Sequence, residues 1–316
     1  MKLLLTFFLF IGFNLQSQEY TIVDAKVKTY PKFSSAQKLA NKIKNDFDND
    51  SAKIRAVFIW LSENIRYDLK EFYNPTTKRI SFQYKDEAEK QLKLQQIKDQ
   101  IVNETFTKKK SVCEGYAQSF KKICDLLGIE ATVIKGYARS FTNDIGKSPT
   151  NSNHAWNAVK LNGKWRLIDA TWAAGYAINN RWIKHYNNYY FYPNPLNLLR
   201  SHLPDETTWQ MVEKPISSKT YANQPLIEQG FFIRNLHLIS PENGIITKKG
   251  MVDFKIKNLK ATDLVSYQFK GQRYGKRADL TFEDTIGSFT INLEDKKNTE
   301  LYIFINNEIA LQYKVK

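Results

Sequence analysis

Apolar residues recur at three- and four-residue spacing over 50–67. Ile54, Val57, Phe58, Leu61 and Ile65 follow Asp50 or Ser51 as the cap, which predicts an amphipathic helix. A second helix is predicted over 85–104, highly charged, with Leu92, Leu94, Ile97 and Ile101 as a sparse apolar side and Lys108-Lys109-Lys110 at its end. The third pattern is the clearest. Tyr116, Ala117, Phe120, Ile123, Cys124 and Leu127 form one continuous face, and Gly128 stands where a helix C-cap belongs. Ala131 to Tyr137 then reads as a strand. Two alternating runs follow, 153–161 and 164–172, joined by Asn162-Gly163, the strongest short-range hairpin signal. Residues 173–225 are rich in Asn and aromatics and predict irregular covering structure. Beyond about residue 226 the texture changes to short alternating runs: Phe231–Ile239, Met251–Ile256, Leu264–Phe269, Ala278–Phe282, Ser288–Leu293, Leu301–Ile305 and Ile309–Val315. Seven such strands predict a small antiparallel sandwich of immunoglobulin-like shape.

The first residues stand apart from this pattern. Lys2 precedes an almost unbroken apolar run, Leu3 to Phe13, followed by Asn14-Leu15-Gln16-Ser17. This is the layout of a cleavable secretory signal peptide over 1–17, with export to the periplasm or beyond. The run is too short to span a bilayer, which needs about 20 apolar residues. The expected organisation is therefore a signal peptide (1–17), a mixed α+β domain (18–225) and a β-sandwich (226–316).

Composition narrows the class. The 316 residues, 42% hydrophobic and 14% aromatic, exclude a disordered chain. Two cysteines and 13 glycines exclude a disulfide scaffold or a collagen. A net charge of +15 favours anionic surfaces or partners, but no nucleic-acid-binding motif accompanies the lysines, so no nucleic acid is expected.

In an exported protein the cysteines are informative. Cys113 and Cys124 lie eleven positions apart on the third helix, about 16 Å along its axis, too far for a disulfide. Cys124 falls in the middle of the buried stripe and reads as core. Cys113 falls in the first helical turn, where the dipole and unpaired N–H groups favour a thiolate, with Lys108 to Lys110 upstream adding positive potential. The hairpin supplies a partner. An Asn162-Gly163 turn opposes Leu161 to Lys164, hence Trp156 to Asp169 and His154 to Thr171. His154 and Asp169 become diagonal neighbours on one face, roughly 7–8 Å apart at the backbone and within side-chain reach. A carboxylate so placed fixes a histidine tautomer and supports the imidazolium. Trp60 and Tyr67 are the candidate side chains for the second donor of an oxyanion hole begun by the Cys113 N–H. Three protein ligands without a short metal-ligand spacing do not make a zinc site of Cys113, His154 and Asp169, so neither metal nor cofactor is expected.

Ser111-Val112-Cys113-Glu114-Gly115-Tyr116-Ala117, Asn153-His154-Ala155-Trp156 and Leu167-Ile168-Asp169-Ala170-Thr171-Trp172 resemble the transglutaminase-like superfamily, in its branch of bacterial proteins similar to kyphoscoliosis peptidase. The likeness covers about residues 35–215 and extends to Asp50–Asp68, Gly128-Ile129, Gly136-Tyr137 and Pro204 to Gln210. It implies a papain-like α+β fold, a helix packed on an antiparallel sheet, with Cys113 as nucleophile, His154 as base and Asp169 as orienting acid. It also implies acyl transfer through a thioester, in an amidase or peptidase acting on protein, peptide or cell-envelope amides. A cross-linking transglutaminase and a catalytically silent envelope-binding protein are the alternatives. One departure is visible: Ser111 stands where the family usually has glycine.

Overall fold

A computed structural model of the chain describes residues 19–75, 82–247 and 250–316; the predicted signal peptide lies outside them. Among the described residues no helix is long and apolar enough to cross a membrane. The chain forms two compact units. The first comprises residues up to Ile134 together with His154–Pro193, and the second comprises Lys135–Asn153 and Asn194–Lys316.

The first unit is α+β. It contains helices α1 (19–28), α2 (Ala36–Asp46), α3 (Asp50–Asn64), α4 (Leu69–Tyr73), α5 (Glu87–Lys108), α6 (Cys113–Leu127) and α7 (Ala170–Ala174). Its strands are β1 (Arg66–Tyr67), β2 (Lys110–Ser111), the start of β3 (Ala131–Ala138), β4 (His154–Leu161), β5 (Lys164–Ile168), β6 (Gly175–Ile178) and β7 (Arg181–Lys184). Strands β5, β4 and β3 lie side by side in that order, and α6 packs on β4. Asn157 of β4 ties helix to sheet, its amide donating to the carbonyls of Ala117 and Thr132 at 3.0 Å each.

The helices depart from the sequence expectation in instructive ways. The predicted amphipathic helix, α3, is buried on every side: Ile54, Ala56, Val57, Phe58, Trp60 and Leu61 have no exposed surface. It is the central helix, covered by α2, α6 and α7, so its polar positions pay no attention to solvent. Arg55 is accommodated there because Asp24 accepts from its Nε and Nη2 at 2.7 and 2.6 Å. The α3 cap is Asn49, one residue earlier than expected, accepting from Ala52 N at 2.8 Å. Helix α5 runs longer than its sparse apolar side predicted and buries only Val102, Thr105 and Phe106 in its last turns. Helix α6 matches expectation, with Gly128 closing it at φ 75°. At such a positive φ any side chain would be strained.

In the second unit the outer half of β3 pairs antiparallel with β8 (His202–Pro204), Gly136 opposite Pro204. After β9 (Leu226–Ile227) come β10 (His237–Ser240), β11 (Ile245–Ile246), β12 (Met251–Lys257), β13 (Val265–Phe269) and β14 (Lys276–Arg277). The chain ends with β15 (Thr281–Glu283), β16 (Ile286–Asn292), β17 (Thr299–Ile305) and β18 (Glu308–Val315). These form two sheets, β10-β12-β16-β15 and β11-β18-β17-β13-β14, with β9 added on β18. Alternate residues such as Phe254, Ile256, Ile291, Leu301, Ile303 and Leu311 enclose one apolar core, the period-two burial expected of half-buried strands. Two details differ from the predicted antiparallel set. Phe231 lies in a short helix, Gln229–Ile233, which ends before Asn235 at φ 57°, so the strand begins only at His237. β11 joins β18 in parallel.

Candidate active site

Cys113 is the first residue of α6, and its thiol is free and partly exposed. The residue before it, Val112, is extended and offers no side-chain cap. Gly115 N donates to Val112 O at 3.1 Å, and the Cys113 N–H sits at the helix start, where a developing negative charge is favoured.

The position of Cys113 depends on a feature that hydrophobic patterning did not reveal. β1 and β2 pair in parallel, Arg66 opposite Lys110 and Tyr67 opposite Ser111, and Asp68 N donates to Ser111 O at 3.0 Å. α5 ends with Lys109 in the left-handed region at φ 51°, turning the chain into this pairing. The three lysines do not supply a diffuse positive field, contrary to expectation. Lys108 pairs with Glu104 at 2.7 Å and Lys110 with Asp68 at 2.9 Å. Lys109 Nζ is held by the Phe33 and Phe106 carbonyls.

Ser111, the departure from the family pattern, is accommodated by Gly115. A Cβ at 115 would lie 1.9 Å from Ser111 Oγ, 2.6 Å from Ser111 Cβ and 2.4 Å from Thr105 Oγ1. Ser111 is fixed by its strand pairing and cannot retreat. Gly115→Ala is expected to displace the loop carrying Cys113, lowering turnover by roughly 10²-fold, the scale of a 1 Å misplacement. Ser111→Gly added to that variant relieves two of the three contacts and should restore part of the loss, which steady-state kinetics on the single and double variants would measure.

His154 opens β4 and is 7% exposed. Its ring lies against Trp156 at 5.8 Å and 22°, and against Trp172 at 5.8 Å and 50°. Nε2 is 2.7 Å from Asp169 Oδ2, and the Cys113 side chain hydrogen-bonds the same imidazole. With Nε2 engaged by the carboxylate, Nδ1 is the nitrogen that serves the sulfur. Burial pulls the His154 pKa down. The charge and hydrogen bond of Asp169, followed by the hydrogen bond and charge of Cys113, outweigh it and raise it to about 10.

The hairpin register agrees with expectation over its length, from Leu161 opposite Lys164 to Asn157 opposite Ile168. The reason that Asp169 meets His154 differs. β5 stops at Ile168, and Asp169 is the N-cap of α7 rather than a strand residue. Oδ1 accepts from Thr171 N at 2.8 Å and Trp172 N at 2.9 Å, leaving Oδ2 for His154. Thr171 therefore does not oppose His154. The missed signal is Asp169 followed by Ala170, Ala173 and Ala174, then Gly175: a cap, three good helix formers and a stop.

The two suggested oxyanion donors separate. Trp60 is buried, stacked on Phe106 at 5.2 Å, and its indole N–H donates to Pro31 O at 3.2 Å, so it belongs to the core. Tyr67 stands at the site. Its ring is held by Trp182 at 5.5 Å and Phe72 at 5.8 Å. Burial, then negative charge at Cys113 and at Asp169, holds its hydroxyl far above the usual phenol range, so it remains a neutral donor. The aromatic run 182–192 divides in the same way, with Trp182 at the site and Phe191 packed on Phe58 at 5.0 Å beneath α3.

A cysteine at a helix start and a strand histidine bonded to a carboxylate define a papain-like arrangement. Residues 37–170 match the model of the transglutaminase-like superfamily, and the curated relatives support that superfamily for the chain. Human kyphoscoliosis peptidase is 26% identical over 302 residues, covering 92% of this chain and 42% of that protein. The mouse counterpart is 25% identical over 293 residues, covering 89% and 41%. The chain thus spans about two fifths of the length of these relatives. A solved structure described as a TGase is 18% identical, with a TM-score of 0.30 over 49% of this chain and 36% of that one.

Proposed function

We propose that the protein is a cysteine-dependent acyl-transfer enzyme, a peptidase or amidase in which Cys113, His154 and Asp169 act in sequence on an amide carbonyl. The observation that carries this reading is a single buried imidazole bonded to Asp169 Oδ2 at 2.7 Å and to the Cys113 side chain. With its pKa raised to about 10, His154 already holds on Nδ1 the proton given up by the sulfur, and the sulfur bonds to the carbonyl carbon. The oxyanion is met by the Cys113 N–H and the Tyr67 hydroxyl. The imidazolium then gives its proton to the leaving nitrogen, the C–N bond breaks, and a thioester remains on Cys113. Water, deprotonated by His154, adds to the thioester; the C–S bond breaks, the acid leaves, and the imidazolium again faces the sulfur.

The substrate class proposed is a protein, peptide or cell-envelope amide. Export through the apolar run at 3–13 and an immunoglobulin-like character for the two sheets after residue 226 are parts of the same reading. Incubation with casein and with cell-wall peptides, with and without a primary amine, tests it. Release of free acid supports hydrolysis; amine incorporation instead of acid would make the protein a cross-linking enzyme. No product with any of them would favour a binding role.

Tyr67→Phe removes one oxyanion donor and nothing from the thiol–imidazole pair. It is expected to lower kcat by about 10²-fold with KM little changed. Alkylation of Cys113 by iodoacetamide should proceed at the wild-type rate. A parallel fall in alkylation would mean that Tyr67 acts on the sulfur rather than on the oxyanion.

A further inference from the structure

The second unit contains a cavity of about 500 Å³ that the chemistry at Cys113 does not use. Its floor is apolar, with Leu199, Ile227 and Leu236 buried there. Arg200, which follows the short helix Pro195–Leu198, lines the same cavity. The Arg200 carbonyl accepts from Arg139 Nε and Nη2 at 3.2 and 3.1 Å, which fixes the main chain. Among the described residues no carboxylate is ion-paired or hydrogen-bonded to the Arg200 guanidinium. Glu242, the acidic group whose charge it senses, sits at the exposed rim.

Arg139 deepens the imbalance. It is buried, lies 4.6 Å over the Tyr221 ring, and donates only to the carbonyls of Arg200, Ala222 and Pro225. Two guanidinium groups thus share this region without a bonded carboxylate. An arginine stays charged even when desolvated, and its planar fork matches a carboxylate. Side-chain amides complete the lining. Asn197 and Asn243 face the cavity, and Asn243 uses its Oδ1 on Ile245 N, which leaves its NH₂ free to donate. Apolar walls with a few convergent polar groups are the usual form of a ligand site of this size.

We infer that the cavity binds the C-terminal end of a peptide whose last residue is apolar. The free α-carboxylate meets Arg200, the terminal side chain fills the space over Leu199, Ile227 and Leu236, and main-chain amides pair with Asn197 and Asn243. A fatty acid would satisfy the charge and the floor but would leave those amides desolvated and unpaired, at a cost. Binding here is independent of the reaction at Cys113.

The test uses the full chain carrying Cys113→Ala, so that nothing is turned over. Fluorescence anisotropy compares a fluorescein-labelled octapeptide ending in Leu-Leu with a free carboxylate and the same peptide ending in an amide. The acid is expected to bind at least about tenfold tighter, as a charge-assisted hydrogen-bonded pair allows. Arg200→Gln should erase the difference, and Leu196→Asp at the rim, where Leu196 is 61% exposed, should weaken both forms. Equal affinity for acid and amide, or no binding of either at about 1 mM, would overturn the proposal. So would displacement of the peptide by decanoate at equal concentration. The acid–amide comparison on unsubstituted Arg200 remains decisive if Arg200→Gln fails to fold.

Discussion

Cys113→Ala is expected to abolish turnover, by at least about 10³-fold, while leaving the fold intact. The residue begins α6 and is partly exposed, and its side chain contributes a hydrogen bond to one imidazole, so its removal opens no core cavity. Mass spectrometry of the wild-type protein mixed with an activated ester should find the acyl adduct on Cys113, and the variant should form none. Cys124→Ala is the matching control. Cys124 is fully buried on α6, and burial pushes its thiol well up, out of reach of chemistry at neutral pH. Its loss should lower stability by about 1 kcal/mol, the scale of a deleted buried group, with turnover unchanged. Equal activity in Cys113→Ala and wild type would end the thioester mechanism.

Asp169→Asn should be nearly as damaging, because both carboxylate oxygens are in use. Oδ1 takes two backbone N–H groups at the start of α7, and Oδ2 faces His154 Nε2. An asparagine that keeps the cap turns its NH₂ toward Nε2, which then must accept. The ring proton moves to Nδ1, and the nitrogen facing the sulfur can no longer take its proton. A wrong tautomer of this kind costs on the order of 10⁴ in kcat. The pH dependence of stability should change too. Burial lowers the His154 pKa, while Asp169 and then Cys113 more than offset it and raise it to about 10, above the ordinary 6.5. The contribution of the pair to folding is therefore complete below pH 6.5 and is lost as pH rises through about 10. In Asp169→Asn burial dominates and that high-pH loss should vanish. Urea midpoints at roughly pH 6 and pH 10.5 measure it. Asp169→Ala loses cap and charge together and should cost about 3–5 kcal/mol of stability, as breaking a buried pair does.

Much of the site was legible because local signals and contact geometry coincide there. The α6 stripe and Gly128 placed Cys113 at a helix start, and Asn162-Gly163 set the register that brings His154 toward Asp169. The arrangement failed to be legible where it depends on distant pairing. Nothing local in Arg66-Tyr67 or Lys110-Ser111 announces a two-residue parallel pair, yet that pair holds Ser111 against Gly115 and brings Tyr67 beside the thiol. Burial all round α3 is likewise a tertiary outcome, since its polar positions are covered only once α2, α6 and α7 close on it. At Asp169 two local rules competed. Alternation from Lys164 onward continued the strand, but the aspartate cap and the alanines behind it ended it at Ile168.

All of the catalytic reading depends on one imidazole relaying charge between a carboxylate and a sulfur. The most direct measurement is the rate of iodoacetamide alkylation of Cys113 at pH 7, with the site of labelling read by peptide mass spectrometry, in wild type, His154→Ala and Asp169→Asn. The account predicts wild-type labelling at least about tenfold faster than in either variant, with all three folded. Equal rates in the three proteins, matching free cysteine, would contradict it.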